Sequence, residues 1–177
     1  MASLNAALDA IERHLEFPRS RSVGVARRLQ EAGQLPLGTP SSPPQVNEEH
    51  VLDLIAGLAA DTTLGYAPEA VMNFNYLTPG GVPLVGAPDS IPTASIAVAV
   101  LIEDARAGVG QARKSQVEIS HNSRALAIHK PDGSVARFCM PGSDATHWQK
   151  RGHHKSTTLN VAAIADAFED IFGKVVA

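Results

Sequence analysis

The stretch QVEISHNSRALAIHKPDGSVARFCM, from Gln116 to Met140, decides the fold class. Its runs QVEISH, ALAIHK and SVARFCM are short and of the β type. Between the second and third, Pro131, Asp132 and Gly133 stand in the order of a tight hairpin turn. Three antiparallel strands are expected. Farther on, LNVAAIADAFEDIFG puts Leu159, Ala162, Ala165, Phe168, Ile171 and Phe172 on one helical stripe and ends at Gly173, so a closing helix should pack on that sheet.

Upstream of the strands the patterning is helical. Ser3 can cap a helix whose Leu4, Leu8, Ile11 and Leu15 share a stripe, and Pro18 ends it by biasing Phe17 away from helical geometry. A second helix is expected from about Ser20 to Ala32, with Gly33 as its left-handed stop. A third spans about Asn47 to Ala60, and Pro68 suits the first turn of a fourth. Residues 93–107 mix strand-like alternation with the Ala content and Gly108 stop of a helix, and are read as helix. The proline-rich stretches PLGTPSSPP and TPGGVPLVGAPDSIPT exclude continuous helix or central strand. The expected class is α+β: a helix-turn-helix unit at 1–35, a linker at 36–46, a helical middle at 47–77, a connection at 78–92 and an α+β region at 93–177.

The chain of 177 residues, 44% of them hydrophobic, can bury a core. A net charge of −3 excludes a uniformly basic nucleic-acid coat, so any charge-driven binding must be local. Residues 46–110 hold eight acidic side chains against one basic, whereas Pro18 to Arg28 holds Arg19, Arg21, Arg27 and Arg28 with no acid. The single Cys139 cannot form an internal disulfide and suits a reducing compartment, so a cytoplasmic protein is expected. MASLNAALDAIERHLEF lacks a secretory signal's basic start, and the apolar run Ile96 to Ile102 falls far short of the roughly 20 residues that span a bilayer.

On a helical wheel the second helix gathers Val25, Ala26, Leu29 and Ala32 on one side and Ser20, Arg21, Gly24, Arg27, Arg28 and Glu31 on the other. Arginines can reach phosphates or fork onto guanine edges, and a glycine lets a helix approach a groove floor. Pro18, Arg19 and Ser20 open the helix where free backbone N–H groups could seat a phosphate. The expected contacts to double-stranded DNA are therefore Arg19, Ser20, Arg21, Gly24, Arg27 and Arg28. HWQKRGHHKS adds Lys150, Arg151 and Lys155 as secondary phosphate contacts.

LDAIERHLEFPRSRSVGVARRLQEAGQLP, from Leu8 to Pro36, resembles the helix-turn-helix of bacterial and phage DNA-binding proteins, with its helix, PRS-type turn and basic helix ending RRLQEAGQL. It departs from the usual trihelical unit, since only three residues precede Leu4. The module order looks like that of phage small terminase subunits. That resemblance implies viral DNA recognition in a bacterial host cell, assembly into a ring and a large terminase ATPase as partner. A helix-turn-helix transcription regulator is the alternative, and an oligomeric adaptor that does not bind DNA is a third class. Val51, Leu52, Leu54, Ile55, Leu58 and Ala59 form a stripe wide enough to suggest self-association, which Leu54→Glu or Leu58→Glu should then disrupt without unfolding.

Other chemistry finds no foothold in the sequence. Cys139, His147, His153 and His154 match no zinc-finger spacing, so no metal is expected. GGVPLVG lacks the P-loop lysine, and no G-x-S-x-G elbow is present. Neither an enzymatic activity nor a cofactor is expected.

Overall fold

The computed structural model describes residues 1–39, 41–85, 92–144 and 152–174. Ser3 caps α1 (Leu4–Leu15), its hydroxyl accepting from the Ala6 N–H at 3.2 Å, and Glu16 ends that helix in the left-handed region at φ 60°. After the short turn comes α2 (Arg19–Glu31), closed by Gly33 at φ 74°, a conformation that costs a glycine little. Asn47 caps α3 (Glu48–Ala59) in a reciprocal box with His50: its side-chain oxygen accepts from the His50 N–H at 2.9 Å, and His50 Nδ1 accepts from the Asn47 N–H at 3.3 Å. A single 3-10 turn (Leu64–Tyr66) leads into α4 (Ala67–Tyr76), with Pro68 in its first turn. Residues 94–106 are helical, as α5 (Ala94–Arg106), and a short α6 (Gly110–Arg113) follows.

The expected α+β class holds, with a larger sheet than the three strands expected. Two strands pair early, β1 (Ala2–Ser3) with β2 (Gln45–Val46). The main sheet has β3 (Thr78–Pro79), β4 (Gln116–Ser120), β5 (Ala125–His129), β6 (Val135–Cys139) and β7 (Ser156–Asn160), antiparallel throughout in the order β3-β6-β5-β4-β7. β3 carries a proline, which an edge strand tolerates because one of its sides needs no donor. β7 runs straight into α7 (Val161–Phe172), so Leu159 belongs to the strand and pairs with Val117, although its spacing also fits the helical stripe. The cross-strand partners Val117 and Ile128, Ile119 and Leu126, and Leu126 and Phe138 bury one face of the sheet.

Buried residues from Leu4 to Phe168 form one continuous core that includes those of 1–35. α7 packs on α1, α5 and α6, and its sheet neighbour is the strand β7 that leads into it. The segment 36–46 is fastened rather than free. Gln30 donates to the Pro36 carbonyl at 2.8 Å, the Leu4 N–H donates to the Pro44 carbonyl at 2.9 Å, and β2 pairs with β1. The apolar stripe of α3 is covered within the chain by α2, α4 and α5, which removes the ground on which self-association was expected. No helix of the described residues is long and apolar enough to cross a membrane.

One acid of α3 is buried and makes no ion pair among the described residues. Asp53 is 8% exposed and accepts a hydrogen bond from Asn75 Nδ2 at 3.1 Å. Burial, reinforced by the nearby charge of Glu49, lifts its carboxyl above the ordinary 3.8, although the Asn75 hydrogen bond and the nearby His50 oppose this. A carboxyl whose pKa is raised on folding binds its proton more tightly in the native state, so stability falls as pH climbs from 3.8 through the raised value. Asp53→Asn keeps an acceptor for Asn75 and cannot ionise. Its urea midpoint should exceed wild type at pH 7 and converge on it at pH 3; equal midpoints at both would mean that Asp53 does not ionise differently in the two states.

Candidate nucleic-acid interface

α2 presents its outer face to solvent because Val25, Ala26 and Leu29 bury the other side against α3 and α4. Gly57 of α3 permits the close approach: a side-chain carbon there would meet Val25 Cγ1 at 3.2 Å and Val71 Cγ2 at 3.3 Å. The six residues expected to touch DNA then divide into two groups.

Three are engaged by the protein itself. The Arg19 guanidinium pairs with Asp9, and its backbone N–H donates to Glu12 Oε1 at 3.1 Å. Of the backbone donors expected to seat a phosphate at the start of α2, Pro18 has none, that of Arg19 is taken by Glu12, and those of Arg21 and Ser22 go to the Pro18 carbonyl. Arg21 Nη2 donates to the carbonyl of Thr62. Gly24 faces Leu64, whose Cδ2 would lie 3.1 Å from a side-chain carbon at that position. The Leu64–Tyr66 turn therefore covers the part of the helix that was expected to approach a groove.

Three remain outward: Ser20, Arg27 and Arg28. The two arginine side chains are 78% and 49% exposed and share one carboxylate, with Arg27 Nε on Glu31 Oε1 at 3.0 Å and Arg28 Nη1 on Glu31 Oε2 at 2.7 Å. Hydrogen bonds from Arg28 and Arg27 hold the Glu31 carboxyl below its usual range. Two guanidiniums on one carboxylate leave a net positive charge on an exposed helix surface. Of the secondary contacts, Lys150 and Arg151 lie outside the described residues. Lys155 is exposed, and its backbone is tied down: its N–H donates to Asn122 Oδ1 at 3.2 Å and its carbonyl accepts from the His121 N–H at 2.8 Å.

Two polar clusters had no sequence signature, because their members come from distant segments. On the open face of the sheet, Glu118 meets His129 Nε2 at 2.7 Å and His154 Nε2 at 3.0 Å. Burial would raise its carboxyl pKa, but hydrogen bonds from Ser156, His129 and His154 prevail and lower it. At the other end, His121 Nε2 lies 2.7 Å from Thr157 Oγ1, and its Nδ1 lies 3.9 Å from Asp61 Oδ2. Residues 61, 121 and 157 become neighbours only when β4 pairs with β7 beside the end of α3.

The fold and this surface define a mixed α+β protein with a basic helix exposed after a tight interhelical turn. No family model, curated protein or solved structure matches the chain.

Proposed function

We propose that the protein binds double-stranded DNA through the outer face of α2, with Arg27 and Arg28 as the principal phosphate or base-edge contacts and Ser20 as a further donor. The observation that carries this reading is the exposed arginine pair with a single carboxylate between them. Phosphate oxygens can replace Glu31 as the acceptor, and the two guanidiniums offer more donors than one carboxylate can occupy. Binding is modest in this reading, because Arg19 and Arg21 already serve the fold. In this reading the protein works in the cytoplasm, where its DNA ligand would be.

Of the two DNA-binding roles, regulation of transcription is favoured over packaging in a terminase ring. The stripe that suggested self-association lies inside the chain. Assembly, and with it a large terminase ATPase as partner, would have to use other surfaces, such as the exposed Ile96 and Val100 one turn apart on α5.

Fluorescence anisotropy with a labelled duplex, at salt concentrations from 50 to 200 mM, tests the reading. Each phosphate contact removed should flatten the plot of log K against log salt by about 0.9. The Arg27→Ala/Arg28→Ala variant is expected to lose about 1.8 from that slope on the same basis, with its folding intact because both side chains are exposed. Glu31→Gln should tighten binding by releasing both guanidiniums. A folded double alanine variant that binds like wild type would remove α2 as the interface.

A further inference from the structure

A cleft of about 660 Å³ opens between the end of α3, helix α4 and the connection from β4 to β5. That volume lies within the usual range for small-molecule sites. Its floor is carbon, from Phe74, Leu77, Ile119, Leu126 and Met140, and its rim is polar.

Three features of the rim specify a ligand. The Asn73 carboxamide lines the cleft, and no group among the described residues takes up its donors or its acceptor, so the edge of a heterocycle could. His121 lines the cleft, and its Nδ1 stands 3.9 Å from Oδ2 of Asp61, which lies just outside between the lining residues Ala60 and Thr62; the two are too far apart for a hydrogen bond with each other but could share a hydroxyl at the mouth, while Thr157 at 2.7 Å from Nε2 fixes the ring. The charge disfavours phosphates: Arg124 is paired with Glu69 at 2.7 Å, and Asp61, 69% exposed and 3.9 Å from the lining His121, adds a carboxylate beside the mouth. A flat heterocycle with hydroxyls and no phosphate has the chemistry of a nucleoside.

The cleft also has a mechanical connection to α2. Thr62 and Tyr66 line it, and they belong to the turn that begins at Asp61, a non-glycine residue held at φ 46°. The other side of that turn touches the DNA-facing helix, through the Thr62 carbonyl on Arg21 and Leu64 on Gly24. A molecule seated against Thr62 and Tyr66 stabilises the arrangement in which Arg21 is withheld and Gly24 is covered.

We propose that the cleft is an effector site for a neutral nucleoside, and that its occupancy weakens DNA binding through the Asp61–Tyr66 turn. The regulatory half rests on the reading of α2 as the DNA interface; the binding half does not. Coupling of this kind is reciprocal, so DNA must weaken nucleoside binding by the same factor.

Calorimetry with adenosine, ribose and adenosine monophosphate on the full chain tests the binding half. Adenosine should bind most tightly, ribose more weakly for lack of the heterocycle, and the monophosphate more weakly for its charge. Asp61→Asn should bring the monophosphate close to adenosine. Tyr66→Ala, at an exposed position that folding does not depend on, should weaken adenosine about 10-fold, the loss of roughly one good contact. No heat with adenosine at millimolar concentration, or equal affinity for the monophosphate, overturns the nucleoside assignment. For the regulatory half, saturating adenosine should weaken duplex binding at least about 5-fold, and Leu64→Ala should keep both ligands while losing that effect. Adenosine binding with unchanged DNA affinity overturns the coupling. Adenosine binding by a chain that binds no duplex at all overturns the DNA reading and leaves the cleft assignment standing.

Discussion

Leu54→Glu is expected to leave the chain without a cooperative unfolding transition, and Leu54→Ala to cost about 2–5 kcal/mol. Leu54 is 1% exposed, on a helix whose residues from Val51 to Ala59 are all buried. The cost of the alanine variant comes from lost transfer energy plus a cavity that α2, α4 and α5 cannot close without disturbing their own contacts. The glutamate adds an unpaired charge to a buried helix, one residue from the buried acid Asp53. Since a domain of this size is stable by only about 5–15 kcal/mol, either change consumes a large share. Urea titration followed by circular dichroism reads the alanine variant, and size-exclusion chromatography reads the glutamate one. A Leu54→Glu protein that keeps its native spectrum and merely changes its oligomeric state would return α3 to the surface and revive the ring.

Phe168→Ala should cost about 3–5 kcal/mol, the other large loss in the molecule. Phe168 lies on the buried side of α7, meets Phe172 edge to face at 5.8 Å between centroids, and receives the Arg106 guanidinium 5.9 Å above its ring. Arg106 is itself almost fully buried, bonded to Glu48 and Glu103 at 2.7 Å each and to the Gly173 carbonyl at 3.1 Å. Its Nε has no hydrogen-bond partner among the described residues. Removing the ring therefore opens a cavity and strips a buried cation of its aromatic contact. Phe168→Leu separates the two effects: it restores most of the volume but no π-face. If the leucine variant recovers less than half of the loss, the cation contact outweighs the packing; if the alanine variant loses under about 1 kcal/mol, α7 does not belong to the shared core.

Each element that could be read from the chain was announced by local chemistry. Ser3, Pro18, Gly33, Asn47, Pro68 and Gly173 act on their own backbone or within one turn of it, so helix ends follow from residue identity alone. Strands β4, β5 and β6 were legible for a similar reason, as short β-type runs and a hairpin turn are properties of a few consecutive residues. What tertiary structure decided was which groups meet. STTLN holds a single apolar residue, so its own pattern does not announce β7, and only its pairing with β4 makes it a strand. The same limit applied to α2. A wheel shows which residues lie opposite the core stripe, but not that the Thr62 carbonyl, Leu64, Asp9 and Glu12 arrive to occupy Arg21, Gly24 and Arg19. The wide stripe of α3 looked like an interface because a sequence counts apolar positions without counting the helices available to cover them. His121, Asp61 and Thr157 were invisible as a group for the most basic reason: hydrogen bonds depend on distance in space, and sequence separation carries almost none of that information across an antiparallel sheet.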